Sequence, residues 1–165
     1  MVDVILKHRH PIGKKEAKKL NEGLFQSHGM EFSFHYGKVE SAEADSLLVF
    51  IEDGYIFAIK KEDVYFLSLR GLSKYPPDQG WVQVDMGAVP YLCNGADTMS
   101  AGINDTANSI SEGDIVWIRD ENNAKPLAVG VALISGEDML SSTQGKAIKV
   151  IHYLSDPIWN FTFST

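Results

Sequence analysis

Apolar residues follow a helical period early in the chain and strand periods after it. Ala17, Leu20 and Leu24 stand at i, i+3 and i+7, with Lys14, Lys15, Lys18 and Glu22 around them. This spacing predicts an amphipathic helix that Gly29 stops. Residues 31–36 alternate, with Phe32, Phe34 and Tyr36 on one face and Glu31, Ser33 and His35 on the other, so a strand is expected there. Residues 41–45 are polar and read as a loop. Two β-rich runs, 47–51 and 55–59, flank Asp53-Gly54, the signature of a tight hairpin in which Gly accepts a positive φ. Another apolar stretch covers residues 64–69, so the first part of the chain reads as α+β.

Tyr75-Pro76-Pro77-Asp78-Gln79-Gly80 interrupts every period, and the domain boundary is placed there: residues 1–77 and 78–165. Beyond it, 81–84 alternates as a strand and 86–92 is long enough for one or two helical turns. Glu112-Gly113-Asp114 turns into a strand over 115–118. Residues 120–125 form a polar turn, and 126–134 a long apolar strand with Gly130 inside it. An internal Gly marks a bulge or bend, as a small barrel needs at its corners. Ser135-Gly136-Glu137-Asp138 starts a short helix, and Gly145 opens a strand over 147–153. Short strands at this spacing, with brief helices, predict a small, partly closed β-barrel.

Composition narrows the class. Apolar residues at 44% and charged residues at 22% fit a packed core, not a disordered, collagenous or coiled-coil chain. The longest apolar runs, 47–51 and 129–134, are too short to cross a bilayer. Lys7 to His10 interrupt the N-terminal Val4-Ile5-Leu6 run, so no signal peptide is read there, and Cys93 is alone. A reduced, cytoplasmic protein is expected. The net charge of −7 is unevenly spread. Residues 1–75 carry 11 basic and 11 acidic side chains, whereas 76–165 carry four basic (Arg119, Lys125, Lys146, Lys149) against 11 acidic. Lys7, Arg9, Lys14, Lys15, Lys18 and Lys19 cluster with Glu16 as the sole acid among them, so 7–19, read as one basic helix, is where a polyanion would be met.

The segment Asp85-Met86-Gly87-Ala88-Val89-Pro90-Tyr91-Leu92-Cys93-Asn94-Gly95-Ala96-Asp97-Thr98-Met99-Ser100-Ala101-Gly102-Ile103 resembles the opening of the PUA domain. Four further blocks follow in order: Gly113-Asp114-Ile115-Val116, Ala128-Val129-Gly130-Val131, Ser135-Gly136-Glu137-Asp138 and Gly145-Lys146-Ala147-Ile148. Leu69-Arg70-Gly71-Leu72-Ser73-Lys74-Tyr75-Pro76 before the domain and 151–159 after it resemble the malignant T-cell amplified sequence family, with its ligatin-like and archaeal relatives. The resemblance implies a small N-terminal α+β domain followed by a C-terminal PUA pseudo-β-barrel. It implies a non-catalytic RNA-binding protein without cofactor, acting on tRNA or rRNA in translation, with a possible translation-factor or ribosomal partner and neither membrane nor DNA. A protein-interaction platform and an accessory subunit of an RNA-modifying enzyme are the alternatives.

The residues themselves add candidates. Gly95 and Ala96 lack bulk, so a phosphodiester is expected to approach the main-chain N–H groups of the loop Asn94, Gly95, Ala96, Asp97 and Met99. Lys125 and Lys146, with Lys149, are expected to line one edge near that loop, and Lys14, Lys15, Lys18 and Lys19 to supply the remaining cations. Asp85 is read as an N-cap for Gly87 and Ala88, Cys93 as a buried thiol and His152 as structural. His8 and His10 sit at i, i+2 but have no evident third metal ligand. Of the aromatics, Trp81, Tyr91, Trp117, Tyr153 and Trp159 are assigned chiefly to core packing, with Trp159 also placed to close the barrel end. Nothing assembles an acid, base or nucleophile with partners, so no catalytic residue is named.

Overall fold

The computed structural model describes residues 4–161. The protein divides into two compact units, one formed by the chain up to Tyr75 together with the chain from Pro157 on, the other by Pro76–Asp156. Among the described residues no helix is long and apolar enough to cross a membrane.

The first unit runs β1 (Leu6–Pro11), α1 (Lys14–His28), β2 (Glu40–Ala44), β3 (Leu47–Glu52), β4 (Tyr55–Lys61), β5 (Val64–Leu67) and α2 (Leu69–Lys74). The five strands form one antiparallel sheet in sequence order. In α1 the predicted stripe of Ala17, Leu20 and Leu24 is buried, and Gly29 closes the helix at φ 70°, its N–H donating to the Phe25 carbonyl. His28, in the last turn, accepts the Leu67 N–H at its Nε2 (2.9 Å) and so ties the helix to β5. Burial pushes the His28 pKa down to about 4, and the neutral ring it favours is the form able to accept that bond. The β3–β4 turn has Asp53 at φ 52° and Gly54 at φ 79°, the pair of left-handed residues that a two-residue hairpin requires.

In three places this unit departs from what its sequence predicts. Residues 41–45 are not a loop: Ser41, Ala42 and Ala44 lie buried in β2, between β1 and β3. Their small side chains carry little apolar signal, and the neighbouring strands supply the burial. Residues 31–35 form no strand. Phe34 instead finds its backbone partner in a side chain, donating its N–H to Asn21 Oδ1 (2.9 Å) and accepting from Asn21 Nδ2 (3.2 Å). The basic cluster of 7–19 is not one helix face, since Lys7 and Arg9 belong to β1 and the four lysines from Lys14 onward to α1.

The second unit contains β6 (Trp81–Val84), α3 (Val89–Leu92), β7 (Thr98–Met99), a 3₁₀ turn (Ser100–Gly102), β8 (Ile103–Thr106), β9 (Ile115–Asp120), β10 (Pro126–Ala132), α4 (Gly136–Ser141) and β11 (Lys146–Tyr153). Its six-stranded mixed sheet has the order β7-β11-β10-β9-β6-β8. The two edge strands, β7 and β8, are separated by three residues of chain, so the sheet must curl to bring its edges together, the partly closed barrel expected from sequence. The curl is eased at Gly130, where the β10–β11 register slips; a Cβ there would stand 2.4 Å from Ile148 Cγ2 and 2.6 Å from the Lys149 carbonyl. Val82, Val84, Leu92, Val116, Ile118, Ala128, Met139 and Ile148 fill the interior. Burying each large aliphatic side chain contributes roughly 1.5–3 kcal/mol relative to exposure. Asp120 closes the β9–β10 turn: burial raises its pKa, but N–H bonds from Asn123, Lys125 and Asn122 prevail and hold it below the usual carboxylate range.

The chain ends its described part in α5 (Pro157–Asn160), which belongs to the first unit. The Trp159 ring centroid lies 4.1 Å from the Arg70 guanidinium carbon and the Trp159 carbonyl accepts from that side chain, so it packs on α2.

Candidate nucleic-acid interface

The residues that follow α3 are set by how a four-residue helix ends. Its terminal carbonyls need donors, and the amides just beyond it provide them: Asn94 and Ala96 N–H donate to the Tyr91 carbonyl (both 3.1 Å), and Gly95 N–H to that of Leu92 (3.0 Å). Gly95 takes φ 82°, and a Cβ on it would fall 2.8 Å from the Tyr153 ring. The bend is therefore not the cradle of free amides expected from its sequence. The amides of Asn94, Gly95 and Ala96 are consumed in capping the helix, and the glycine admits an aromatic ring rather than a phosphate.

Asp97 and Met99 continue the loop onto β11. Asp97 Oδ1 accepts the Val150 N–H (3.0 Å) and its Oδ2 pairs with Lys146 Nζ (3.2 Å), while Met99 stands opposite Lys146 in the β7–β11 ladder. Lys125 does not share that edge. It precedes β10, whose start pairs with the end of β11 at Tyr153, whereas Lys146 opens β11 beside the end of β10. About nine residues of strand, or ~30 Å, separate the two lysines along the hairpin, since the register sets Lys146 opposite residue 134.

A cavity of about 290 Å³ opens between α3 and the 3₁₀ turn, walled by Ala88, Tyr91, Leu92, Thr98, Met99 and Ala101. Tyr91 (69% exposed) and Met99 (47%) stand at its mouth. Thr98 is 3% exposed and its Oγ1 has no hydrogen-bond partner; Ser100 Oγ, on the following residue but one, is in the same condition. Two carboxylates also reach this region. Asp85 Oδ1 accepts the Ala88 N–H (3.0 Å) in the turn before α3, but the N-cap of the helix is Ala88 and not the Asp85 expected from sequence; Asp97 is engaged as described. Walls of small and apolar side chains and an exposed ring suit a flat group. The carboxylates disfavour a phosphate there. Neither Tyr91 nor Thr98 stands out in the sequence as a lining residue: the first groups with the core aromatics, and nothing in a lone Thr announces an unpaired hydroxyl. The one signal is Tyr91's place in a helix too short to bury every face.

Lys14, Lys15, Lys18 and Lys19 are all exposed along α1. Lys18 has an exposed partner in Glu22 at 4.0 Å. On β1, Arg9 is bound bidentately by Glu40 at 3.0 Å, and this guanidinium hydrogen bond holds the Glu40 carboxyl below the usual range. His8 pairs with Glu43 (2.9 Å) and His10 with Glu16 (3.2 Å); the His8 carbonyl and then Glu16 raise the His10 pKa. Buried His152 and Asp156 bind each other at 2.6 Å, and Asp156 also accepts the Tyr153 N–H, which fixes the end of β11. Cys93 is half-buried, more open than expected, and its carbonyl accepts from Ser155 Oγ. Of the aromatics assigned to the core, Trp117 is buried, Trp81, Tyr153 and Trp159 are half-buried, and Tyr91 is exposed.

Comparison with known proteins places these features. The PUA domain family model matches residues 80–154. An uncharacterized protein of Methanocaldococcus jannaschii is 40% identical over 158 residues, covering 94% of this chain and 98% of that one. Translation machinery-associated protein 20 of Saccharomyces cerevisiae is 33% identical over 124 residues, 72% of this chain and 68% of its own. Among solved structures, a hypothetical protein from Pyrococcus horikoshii superposes with a TM-score of 0.82 at 36% identity, over 94% of this chain and 99% of that chain.

Proposed function

Because the chain belongs to the PUA-domain family that includes translation machinery-associated protein 20 and the malignant T-cell-amplified sequence proteins, we propose that it binds structured RNA, tRNA or rRNA, in the cytoplasm as a non-catalytic component of translation. An unpaired base enters the cavity beside α3 and stacks on Tyr91. The RNA backbone is met by Lys146 at the rim and by Lys14, Lys15, Lys18 and Lys19 on α1. The observation that carries this reading is the apolar cavity with an exposed aromatic ring, Tyr91, in its wall.

The acidic surplus of residues 76–165 favours a second reading, a platform for a protein partner, because each neutralised phosphate needs about one cation. Fluorescence anisotropy of labelled tRNA with the full chain decides between them. Binding at ~50 mM salt that weakens steeply towards ~200 mM, and that Tyr91→Ala reduces, supports the RNA reading. No binding at low salt, or binding indifferent to Tyr91→Ala, overturns it.

A further inference from the structure

A second feature on the first unit lies outside the cavity and outside every motif of the sequence. Residues 36–38 form a turn, and at its start the His35 and Tyr36 rings stack at 4.5 Å between centroids with their planes 24° apart. His35 Nδ1 accepts the Gly37 N–H (3.1 Å), which holds that ring in place, and the Lys38 N–H donates to the His35 carbonyl (3.0 Å). Both residues are exposed, so the stack adds little to the core. From the first turn of α1, the Lys14 ammonium reaches to 5.5 Å from the Tyr36 centroid. Lys18 follows Lys14 one turn along, and Lys15 and Lys19 flank the same stripe.

We propose that the His35–Tyr36 stack, with Lys14 and Lys18, is a second RNA contact, a platform on which an unpaired base of single-stranded RNA continues the ring stack while its phosphate meets the lysines. This rests on the RNA-binding reading above and adds a site to it. Exposed aromatic rings beside cations on long side chains are what sequence-tolerant recognition of single strands requires, because every base offers a π face and every phosphate a charge. The acids near this stripe mark its limits. Glu16 is turned to Gly13 N–H and His10, and Glu22 sits by Lys18. Further along α1, exposed Phe25 stands in a depression with Glu22 and Glu31, where a phosphate is repelled; the track ends before it.

The test uses the full chain and a short oligouridylate carrying a photoactivatable 4-thiouridine. Crosslinks are expected at residues 35–38. Tyr36→Ala should weaken oligouridylate binding by about fivefold to tenfold without changing its salt dependence, while Tyr36→Phe retains it. Lys14→Gln should lower the salt slope by about 0.7. If Tyr36→Ala changes nothing, if Tyr36→Phe is as damaging, or if Phe25→Ala is the more harmful change, the platform is wrong; the last result moves the RNA contact to the Phe25 depression. A chain that binds tRNA through Tyr91 but ignores oligouridylate refutes the platform alone. A chain that binds neither refutes both proposals.

Discussion

The two compact units divide the chemistry of an anionic partner unequally. The first is electrically balanced, yet it displays its cations in a stripe on one helix; the second holds the whole net charge of −7 and offers an apolar cavity with an exposed ring. Phosphate attraction follows exposed cations and dies with salt, whereas base discrimination follows shape and buried polar edges and does not. On the proposed function, affinity and selectivity therefore come from different parts of the chain and can be damaged separately.

The most severe test of this division is to unfold one unit at a time. In Gly71→Ala the new Cβ would meet the Phe57 carbonyl oxygen, and in Gly130→Ala it would meet Ile148 and the Lys149 carbonyl. Each should cost about 3 kcal/mol, near the upper end for overpacking, and hydrogen exchange should rise in 6–75 for the first and in 81–153 for the second. Acid should act on the first unit by a similar amount. The His28 pKa is lowered to about 4 in the folded chain from 6.5, so the unfolded form binds the proton more readily. Stability is then complete above pH 6.5 and falls as pH drops from there to about 4, by about 3 kcal/mol. Urea unfolding at stepped pH measures it, and His28→Gln, which keeps an acceptor but does not titrate in this range, should flatten the profile.

Smaller effects probe the same division without unfolding anything. Replacing Lys14, Lys15, Lys18 and Lys19 together by Gln should lower the salt slope of RNA binding by about 3 and leave preference among RNA sequences intact. Tyr91→Ala should do the reverse, costing about tenfold on the preferred RNA with an unchanged slope. Smallest of all is Lys146→Gln, expected to shift affinity by about twofold, because Lys146 is exposed and already paired with Asp97, as exposed pairs of this kind contribute little.

Much of the fold is legible in the sequence because its signals are local. The Ala17-Leu20-Leu24 stripe, the Asp53-Gly54 turn, the Ser135 cap and Gly130 each specify a backbone conformation through their own side chain or lack of one, and a period of 3.6 or 2 needs no distant partner. Residues 41–45 and 31–36 mislead for the opposite reason. A strand of small residues is made by its neighbours, and an alternating segment without a neighbour strand stays irregular, held by Asn21.

The site divides along the same line. From the order of residues came the place of the loop after α3 and the lysine stripe. Folding alone decided that the Gly95 amides are spent on helix carbonyls, that Lys125 and Lys146 lie at opposite ends of a hairpin, and that Thr98 Oγ1 is buried without a partner. Residue identity sets which groups can donate, accept or carry charge. Whether a given group is still unused depends on atoms brought to it from far along the chain, and only the tertiary structure assembles those.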